Sequence, residues 1–201
     1  MAEEREIKIP VDPGFVLPDL DGVIEGVRAV DRGTVELSAT YWDTDTLTLL
    51  HSHLGLRHRR AKGEPGRWTL KAGNGSVGLA VSREETDFMG PPEQPPQAAL
   101  AVIRAEVGEV DLHPIASLVT MRHTVDLLAG DTRRAEVADD RVAVRSGTRT
   151  VSEFREVEVE LFDAAAALID AVMSRLRAAG AGDPESTPKY VRALRALGHD
   201  A

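Results

Sequence analysis

Apolar and polar residues alternate with a period of two along much of the chain, which is the pattern of β-strands that bury one face. The segments 4–9 (EREIKI) and 156–161 (EVEVEL) show it most clearly, because each places charged residues at every second position. Since alternate side chains share one face of a strand, each segment predicts a charged face and an apolar face. These carboxylate-rich faces either lie in water or line a polar interior that holds metal ions.

Further short segments of this kind, separated by turn signals, predict a protein built mainly of antiparallel strands. The predicted strands are 4–9, 23–30, 34–40, 56–61, 68–72, 78–88, 115–128, 133–139, 142–146 and 152–161, with a turn at 31–33 and a hairpin-type turn at 73–75. Many strands at hairpin spacing and few helices indicate an α+β fold, in which a barrel or curved sheet carries helices on its outside.

Three segments show the apolar spacing of helices instead. Helices are predicted at 97–108, 163–179 and 188–197. Loops are predicted at 10–21, 89–96 and 183–188. The secondary structure of 44–54 is ambiguous from the sequence. The middle helix is the strongest, because it has an apolar stripe, with Asp163 as the expected N-cap and Gly180 as the expected stop.

The composition narrows the class of protein. We expect a single domain over 1–201, with a helical segment from about 163 onward. A net charge of −9 opposes binding to nucleic acid or an anionic membrane, and 4% aromatic residues are few for base stacking. The chain has no cysteine, no apolar signal segment and no run of about 20 apolar residues. We therefore expect a cytoplasmic protein that holds any polyanion through a local basic cluster.

A glycine motif at 73–78 matches the dinucleotide-binding fingerprint in its letters, as Gly73, Gly75 and Gly78. That motif functions only where a strand precedes it and a helix N-terminus follows it. The residues that follow here favour a strand, and Asn74-Gly75 is a common turn pair. The glycines therefore predict a turn and no nucleotide site.

Basic residues recur on the predicted strands. Arg57 and Arg59 lie two positions apart and share a face, and Arg122 interrupts an apolar run. Any one of them fits a solvated strand face. Together they come from about five strands, and a closed barrel would turn them all inward. The group is Lys8, Arg57, Arg59, Lys71, Arg83 and Arg122.

An interior with both carboxylates and basic groups is stable only when its charges pair or a ligand neutralises them. Carboxylate oxygens suit Mg²⁺ or Mn²⁺, and guanidinium groups match phosphate oxygens. Glu136 and Asp139 add two candidate carboxylates, although an acidic turn explains them equally well. The natural contents of such an interior are a polyphosphate and a divalent cation.

An ordered set of motifs resembles the CYTH family, the triphosphate tunnel metalloenzymes. Glu4-Arg-Glu6-Ile-Lys8 resembles the family's N-terminal ExExK signature, and Ser186-Thr-Pro-Lys189-Tyr190 resembles its C-terminal Ser-Lys-Tyr element. Between them, in the family's order, come Tyr41-Trp-Asp-Thr, Leu56-Arg57-His-Arg59, Trp68-Thr-Leu-Lys71, Arg83-Glu-Glu85, Glu136-Val-Ala-Asp139 and Glu156-Val-Glu158-Val-Glu160. The resemblance covers nearly the whole chain.

The resemblance implies an antiparallel eight-stranded β-barrel whose interior binds a triphosphate with Mg²⁺ or Mn²⁺. It assigns metal binding to Glu4, Glu6, Asp139, Glu156, Glu158 and Glu160. It assigns phosphate binding to Lys8, Arg57, Arg59, Lys71, Arg83, Arg122 and Lys189. Catalysis is expected of Glu4, Glu6, Lys8, Glu156 and Glu158.

The implied function is metal-dependent hydrolysis of inorganic triphosphate or of a small organic triphosphate. Two alternatives stay open, namely an adenylate cyclase that releases pyrophosphate from ATP and a module that binds polyphosphate or nucleotide without turnover. The carboxylates favour an enzyme, because binding alone would need only the basic residues. Family members often precede a helical CHAD domain, so a CHAD domain in a longer parent chain is an expected partner.

Overall fold

The computed structural model describes residues 2–77, 80–162 and 164–200, and of residues 2–4, 74–77 and 80–83 it describes the backbone alone. The described residues form eight strands and four helices. The strands are β1 (Ala2–Pro10), β2 (Val27–Asp43), β3 (Leu54–Ala61), β4 (Arg67–Val77), β5 (Ala80–Phe88), β6 (His113–Ala129), β7 (Thr132–Ser146) and β8 (Arg149–Leu161). The helices are α1 (Thr48–His51), α2 (Gln97–Val107), α3 (Ala166–Ala178) and α4 (Lys189–Ala196), and none of these is long and apolar enough to cross a membrane.

The strands close into an antiparallel barrel in the order β1-β5-β4-β3-β2-β6-β7-β8, which confirms the predicted fold class. β1 completes the barrel, because its residues 2–6 pair with β5 and its residues 6–10 pair with β8. The chain after α3 covers the edge of β1 that β5 leaves open. There the N–H groups of Gly182 and Glu185 donate to carbonyl oxygens of β1 at 3.1 and 2.8 Å. The N-terminal strand and the C-terminal segment therefore meet at one seam.

Two strands are longer than the alternation predicted. β2 runs straight through the predicted turn at 31–33, because a bulge between Asp31 and Gly33 absorbs the extra residue, with Gly33 at φ 80°. β7 likewise joins 133–139 and 142–146 into one strand. The predicted turn and the predicted break are therefore wrong.

The glycine-rich segment 73–75 is also part of a strand. β4 continues through it with a register shift between Ala72 and Gly75, and Gly73 has a φ of 82°. The predicted hairpin turn is wrong, since these glycines form a bulge, and residues 78–79 lie outside the described residues. A strand follows the motif, so its context is not that of a dinucleotide site.

Large apolar side chains lie on the outside of the barrel, beneath the helices. One layer packs Ile7, Ile9 and Val157 against α3, whose predicted stripe of Leu168, Val172, Met173 and Leu176 is buried. A second layer packs Leu56 and Trp68 against Ile103 of α2. Each fully buried aliphatic side chain contributes about 1.5–3 kcal/mol. These outer layers stabilise the barrel and leave its interior available for polar groups.

The ends of α3 differ in how far they follow the prediction. The helix stops before Gly180, which has a φ of 97°, as predicted. It begins at Ala166, and the predicted N-cap Asp163 lies outside the described residues.

α4 packs inside one end of the barrel, here called the plugged end. Its Ala193 and Leu194 are fully buried against Leu118, Val142 and Val144. Leu118 also lines the central cavity, so this cluster lies on the inner surface of the barrel. α4 thereby directs its first residues toward the cavity.

Candidate functional site: a charged tunnel

The barrel encloses a cavity, here called the tunnel, of about 70 Å³. Described side chains from seven strands and from α4 line it, because alternate residues of each strand point inward. The charged lining residues are Glu6, Lys8, Arg57, Arg59, Lys71, Arg122, Asp140, Glu158 and Lys189. The structure thus brings together eight of the residues singled out from the sequence and adds Asp140.

Two arginines of β3 give one side of the tunnel a positive potential. Arg57 and Arg59 both line the cavity. Their neighbour on β3, Arg60, is exposed to solvent. The pKa of Arg59 is lowered to about 10, because Arg57, burial and Arg122 all disfavour its positive charge. A bound anion would relieve this repulsion.

The opposite side of the tunnel is an ion-pair network centred on Arg122. Its Nε and Nη2 donate to the two oxygens of Asp140 at 2.8 and 2.6 Å, and Nη2 also donates to Glu158 at 2.5 Å. Burial would raise the pKa of both carboxyl groups, but Lys189 and Arg122 outweigh it and lower both values. These carboxylates therefore stay ionised although Asp140 is fully buried.

α4 contributes two further cations to this side. The Nζ of Lys189 lies 2.6 Å from Asp140, 2.7 Å from Glu158 and 3.0 Å from Glu156. Arg192 donates to the other oxygen of Glu156 at 2.9 Å. Burial raises the pKa of the Glu156 carboxyl group, although Lys189 opposes the shift.

The first strand brings a carboxylate and an ammonium into the tunnel. Glu6 and Lys8 are both buried and form an ion pair, and Lys8 also lies 3.9 Å from Glu158. Lys71 forms an ion pair with Glu85 of the neighbouring strand. Lys8 and Lys71 therefore both lie beside carboxylates.

A row of four carboxylates crosses four adjacent strands. Asp126 faces Glu136, Glu136 faces Glu160, and Glu160 faces Glu6 in direct cross-strand register. Like charges directly opposite one another repel. Arg133 offsets part of this charge, at 2.9 Å from Glu136 and 3.5 Å from Asp126. The row is a local concentration of hard oxygen donors.

The position of Asp139 corrects an expectation. Its side chain lies on the opposite face of β7 from Asp140 and binds Arg155 at 2.8 and 2.6 Å. Arg155 in turn donates to the carbonyl oxygen of Pro13 outside the barrel. Because successive residues of a strand face opposite ways, Asp139 is outside the tunnel and Asp140 is inside it.

For two predicted site residues, Glu4 and Arg83, the structure describes the backbone and not the side chain. Their backbones are paired directly across β1 and β5. Their predicted roles in metal and phosphate binding stay predictions.

Sequence reasoning missed four contributors to this site. Asp140 and Asp126 belong to the carboxylate set, and Arg192 to the basic set. Tyr190 stacks on Tyr41 with ring centroids 5.2 Å apart, which fixes the start of α4 against β2. A signal existed for Arg192, since it lies three positions after Lys189 and shares its helix face.

The carboxylates fit a hard divalent cation by their chemistry. All are oxygen donors, the ligands preferred by Mg²⁺ and Mn²⁺. Among the described residues, no group of three acidic or histidine side chains is spaced to hold a metal ion. In the part of the chain that the structure describes, these carboxylates lie at ion-pair distance from lysine and arginine side chains.

Fold and site together define a class: an antiparallel barrel with outer helices, whose interior holds clustered arginines opposite carboxylates. Residues 2–189 match the CYTH domain family, and the chain belongs to that family. Two uncharacterized proteins of Mycobacterium tuberculosis, from strains CDC 1551 and H37Rv, are each 29% identical to it over 209 residues. The match covers 96% of this chain and 40% of each relative, so the chain spans about two fifths of the curated relatives it matches.

Solved structures share the fold at low sequence identity. A candidate adenylyl cyclase from Hippeastrum, described as having a dominant triphosphatase activity, superposes with a TM-score of 0.63 at 14% identity, over 96% of each chain. A candidate adenylate cyclase from Bacillus halodurans gives a TM-score of 0.57 at 18% identity, over 96% of this chain and 98% of that one. At these identities the likeness supports the fold alone.

Proposed function

We propose that the protein is a metal-dependent enzyme that hydrolyses a triphosphate, inorganic or small and organic, inside the tunnel. The observation that carries the proposal is one cavity in which Arg57 and Arg59 repel each other opposite a wall of ionised carboxylates. An arginine whose pKa is lowered by a neighbouring arginine gains stability when an anion binds, and guanidinium groups match phosphate oxygens bidentately.

The substrate's phosphates would lie along the basic side of the tunnel. Arg57 and Arg59 would bind them directly, with Lys71, Lys8 and Arg122 at the border of the carboxylate network. Arg83 is expected to join them from β5. Because the barrel wall excludes bulk water, these charges would act in a medium of low dielectric and stabilise charge on the transferring phosphoryl group.

The divalent cation would be held by carboxylates of β1 and β8, with Glu4, Glu6, Glu158 and Glu160 as the proposed ligands. Mg²⁺ or Mn²⁺ bound there would supply positive charge to the phosphate oxygens. In hydrolysis, the oxygen of water forms a bond to phosphorus, the bridging P–O bond breaks, and the water proton passes to a nearby carboxylate.

The test is product formation from inorganic triphosphate, thiamine triphosphate and ATP, each with Mg²⁺, with Mn²⁺ and with chelator. The proposal expects phosphate release from at least one substrate, and none with chelator. Cyclic AMP from ATP would identify a cyclase instead. Binding of triphosphate without any product would identify a binding module.

The chain's place in a longer protein is a separate proposal. Its relatives are longer than the part it matches, and a CHAD domain that binds polyphosphate is the expected partner. Release of phosphate by this chain alone would show that hydrolysis needs no such partner.

A further inference from the structure

Arg67 is a basic residue on the inward face of β4, next to the arginines of β3. It lies directly opposite Arg59 in the register of the two strands, and residues paired in this way share one face of a sheet. Lys71, four positions along β4, lines the tunnel and therefore has the same facing. Both neighbours indicate that Arg67 faces the inside of the barrel.

Arg67 lies at the end of the barrel opposite α4, here called the mouth and defined by Arg67 and Asp87. β3 begins at the plugged end, where the carbonyl oxygen of Leu54 accepts a hydrogen bond from Tyr190 of α4 at 3.4 Å. β3 runs away from α4, and β4 begins at Arg67 after the connection 62–66. The side chains of Arg67 and Asp87 are 59% and 49% exposed, so a dissolved anion can reach them.

Asp87 of β5 is a counter-ion of Arg67. The Nη1 of Arg67 donates to one oxygen of Asp87 at 3.0 Å, and the hydroxyl of the buried Thr69 donates to the other at 2.7 Å. Burial would raise the pKa of Asp87, but these two hydrogen bonds and the charges of Arg67 and Arg57 lower it. Asp87 is therefore an ionised carboxylate fixed beside the basic side of the tunnel.

An exposed ion pair of this kind exchanges readily for a phosphate group. Pairs between exposed side chains stabilise a protein little, because water competes for both partners. A triphosphate carries several negative charges where a carboxylate carries one, and its oxygens match the planar guanidinium bidentately. A phosphate that arrives at the mouth can therefore replace Asp87 on Arg67.

We propose that Arg67 is a further phosphate-binding residue, placed at the mouth of the tunnel, and that Asp87 competes with the substrate for it. The inference rests on the proposed function and extends the basic side of the tunnel from Arg57 and Arg59 to the surface. Arg67 is not one of the residues that line the central cavity. We therefore expect it to act on substrate binding more than on the chemical step.

Two measurements on the whole chain test the inference: triphosphate affinity by titration calorimetry with chelator present, and the kinetics of phosphate release with Mg²⁺. The variants are Arg67→Gln, Arg67→Lys, Asp87→Asn and the double variant of Arg67→Gln with Asp87→Asn. Asparagine keeps the shape of Asp87 and can still accept the hydrogen bond from Thr69. Matched controls are Arg60→Gln and Glu84→Gln, exposed neighbours on the outer faces of β3 and β5.

The two single substitutions should shift the affinity in opposite directions. We expect Arg67→Gln to weaken triphosphate binding about fivefold and Asp87→Asn to tighten it about threefold, because one removes a cation and the other removes its competitor. Arg67→Lys should weaken binding less than Arg67→Gln does. Arg67→Gln should lower kcat/KM in proportion and leave kcat nearly unchanged. The tightening by Asp87→Asn should shrink in the double variant, since Asp87 acts largely through Arg67.

A pair with a structural role alone predicts a different pattern, in which both substitutions lower the melting temperature and leave affinity and kcat/KM unchanged. That pattern, or weaker binding in Asp87→Asn, overturns the inference. A wild type that neither binds nor hydrolyses triphosphate contradicts the proposed function as well, whereas an active wild type matched by Arg67→Gln contradicts this inference alone. If Asp87→Asn does not fold, the variants of the exposed Arg67 decide it through affinity and kcat/KM.

Discussion

The two sides of the tunnel hold charge in opposite ways. On β3, Arg57 and Arg59 repel each other, and the pKa of Arg59 is lowered to about 10. On β7 and β8, Asp140 and Glu158 accept hydrogen bonds and ion pairs from Arg122 and Lys189. The arginine side gains stability when an anion arrives, because an anion relieves the repulsion that lowers the pKa of Arg59.

This difference separates function from stability within one cavity. A group under repulsion favours ligand binding and costs folding free energy, as pre-organised sites commonly do. In a buried ion pair, removing one partner leaves the other charge uncompensated, and this lowers the free energy of unfolding. Substitutions on the two sides should therefore have opposite signatures.

The largest expected effect is on the carboxylate side. Asp140→Asn removes a fully buried charge that holds both Arg122 and Lys189. We expect the free energy of unfolding to fall by about 3–5 kcal/mol, measured by urea denaturation. The exposed Asp131→Asn is the control. A loss below about 1 kcal/mol would show that the network behaves like a surface pair.

The next effect is on turnover. Glu6→Gln and Glu4→Gln each remove a proposed metal-binding charge from β1, and we expect the rate of metal-dependent phosphate release to fall at least about 100-fold. Glu153→Gln, on the outer face of β8, should leave the rate unchanged. Full activity in both β1 variants would contradict the assignment of β1.

A change on the arginine side should affect binding and spare the fold. Arg59→Ala is expected to weaken triphosphate binding about tenfold, a loss near 1.4 kcal/mol, because one phosphate contact is lost. The melting temperature should stay equal or rise, because repulsion with Arg57 is relieved. Arg60→Ala, the exposed neighbour, is the control. A lower melting temperature with unchanged affinity would reverse the comparison.

The smallest effect is on the pH dependence of stability. The pKa values of Asp140 and Glu158 are lowered in the folded state. Their contribution is therefore present above the unfolded pKa, near 4, and is lost as the pH falls through the folded values. Glu156, whose pKa burial raises, contributes with the opposite sign. We expect unfolding free energy between pH 5 and 3 to fall less steeply in Asp140→Asn than in wild type, by up to about 1 kcal/mol per pH unit. The same pH dependence of the unfolding free energy in Asp140→Asn and wild type would contradict this expectation.

The sequence predicted the inner faces where strand alternation is strictly local. Arg57 with Arg59, and Glu156 with Glu158, share a face at any strand length, because the side-chain period is two. Asp139 and Asp140 were a different case. Asp139 lies three positions after Glu136, so the two face opposite ways on one strand, and the register of the barrel decides that Asp140 faces the tunnel.

Other features had no local signal. The carboxylate row from Asp126 to Glu6 depends on register between four strands, which only the whole barrel fixes. The helix 188–197 was predicted, but its position inside the barrel depends on how Leu194 packs against β6 and β7. Tertiary packing decides such features, and helix propensity does not report on it.

The seam at β1 has a consequence for how the chain folds. β1 is made before the other seven described strands, yet Glu6 faces Glu160, a partner translated about 150 residues later. Contacts of such long sequence separation form slowly, since the intervening loop must be closed first. Until then the apolar face of β1, with Ile7 and Ile9, has no wall to pack on. We therefore expect completion of the tunnel to be a late folding event, so that binding of its ligand would report that the barrel has finished folding.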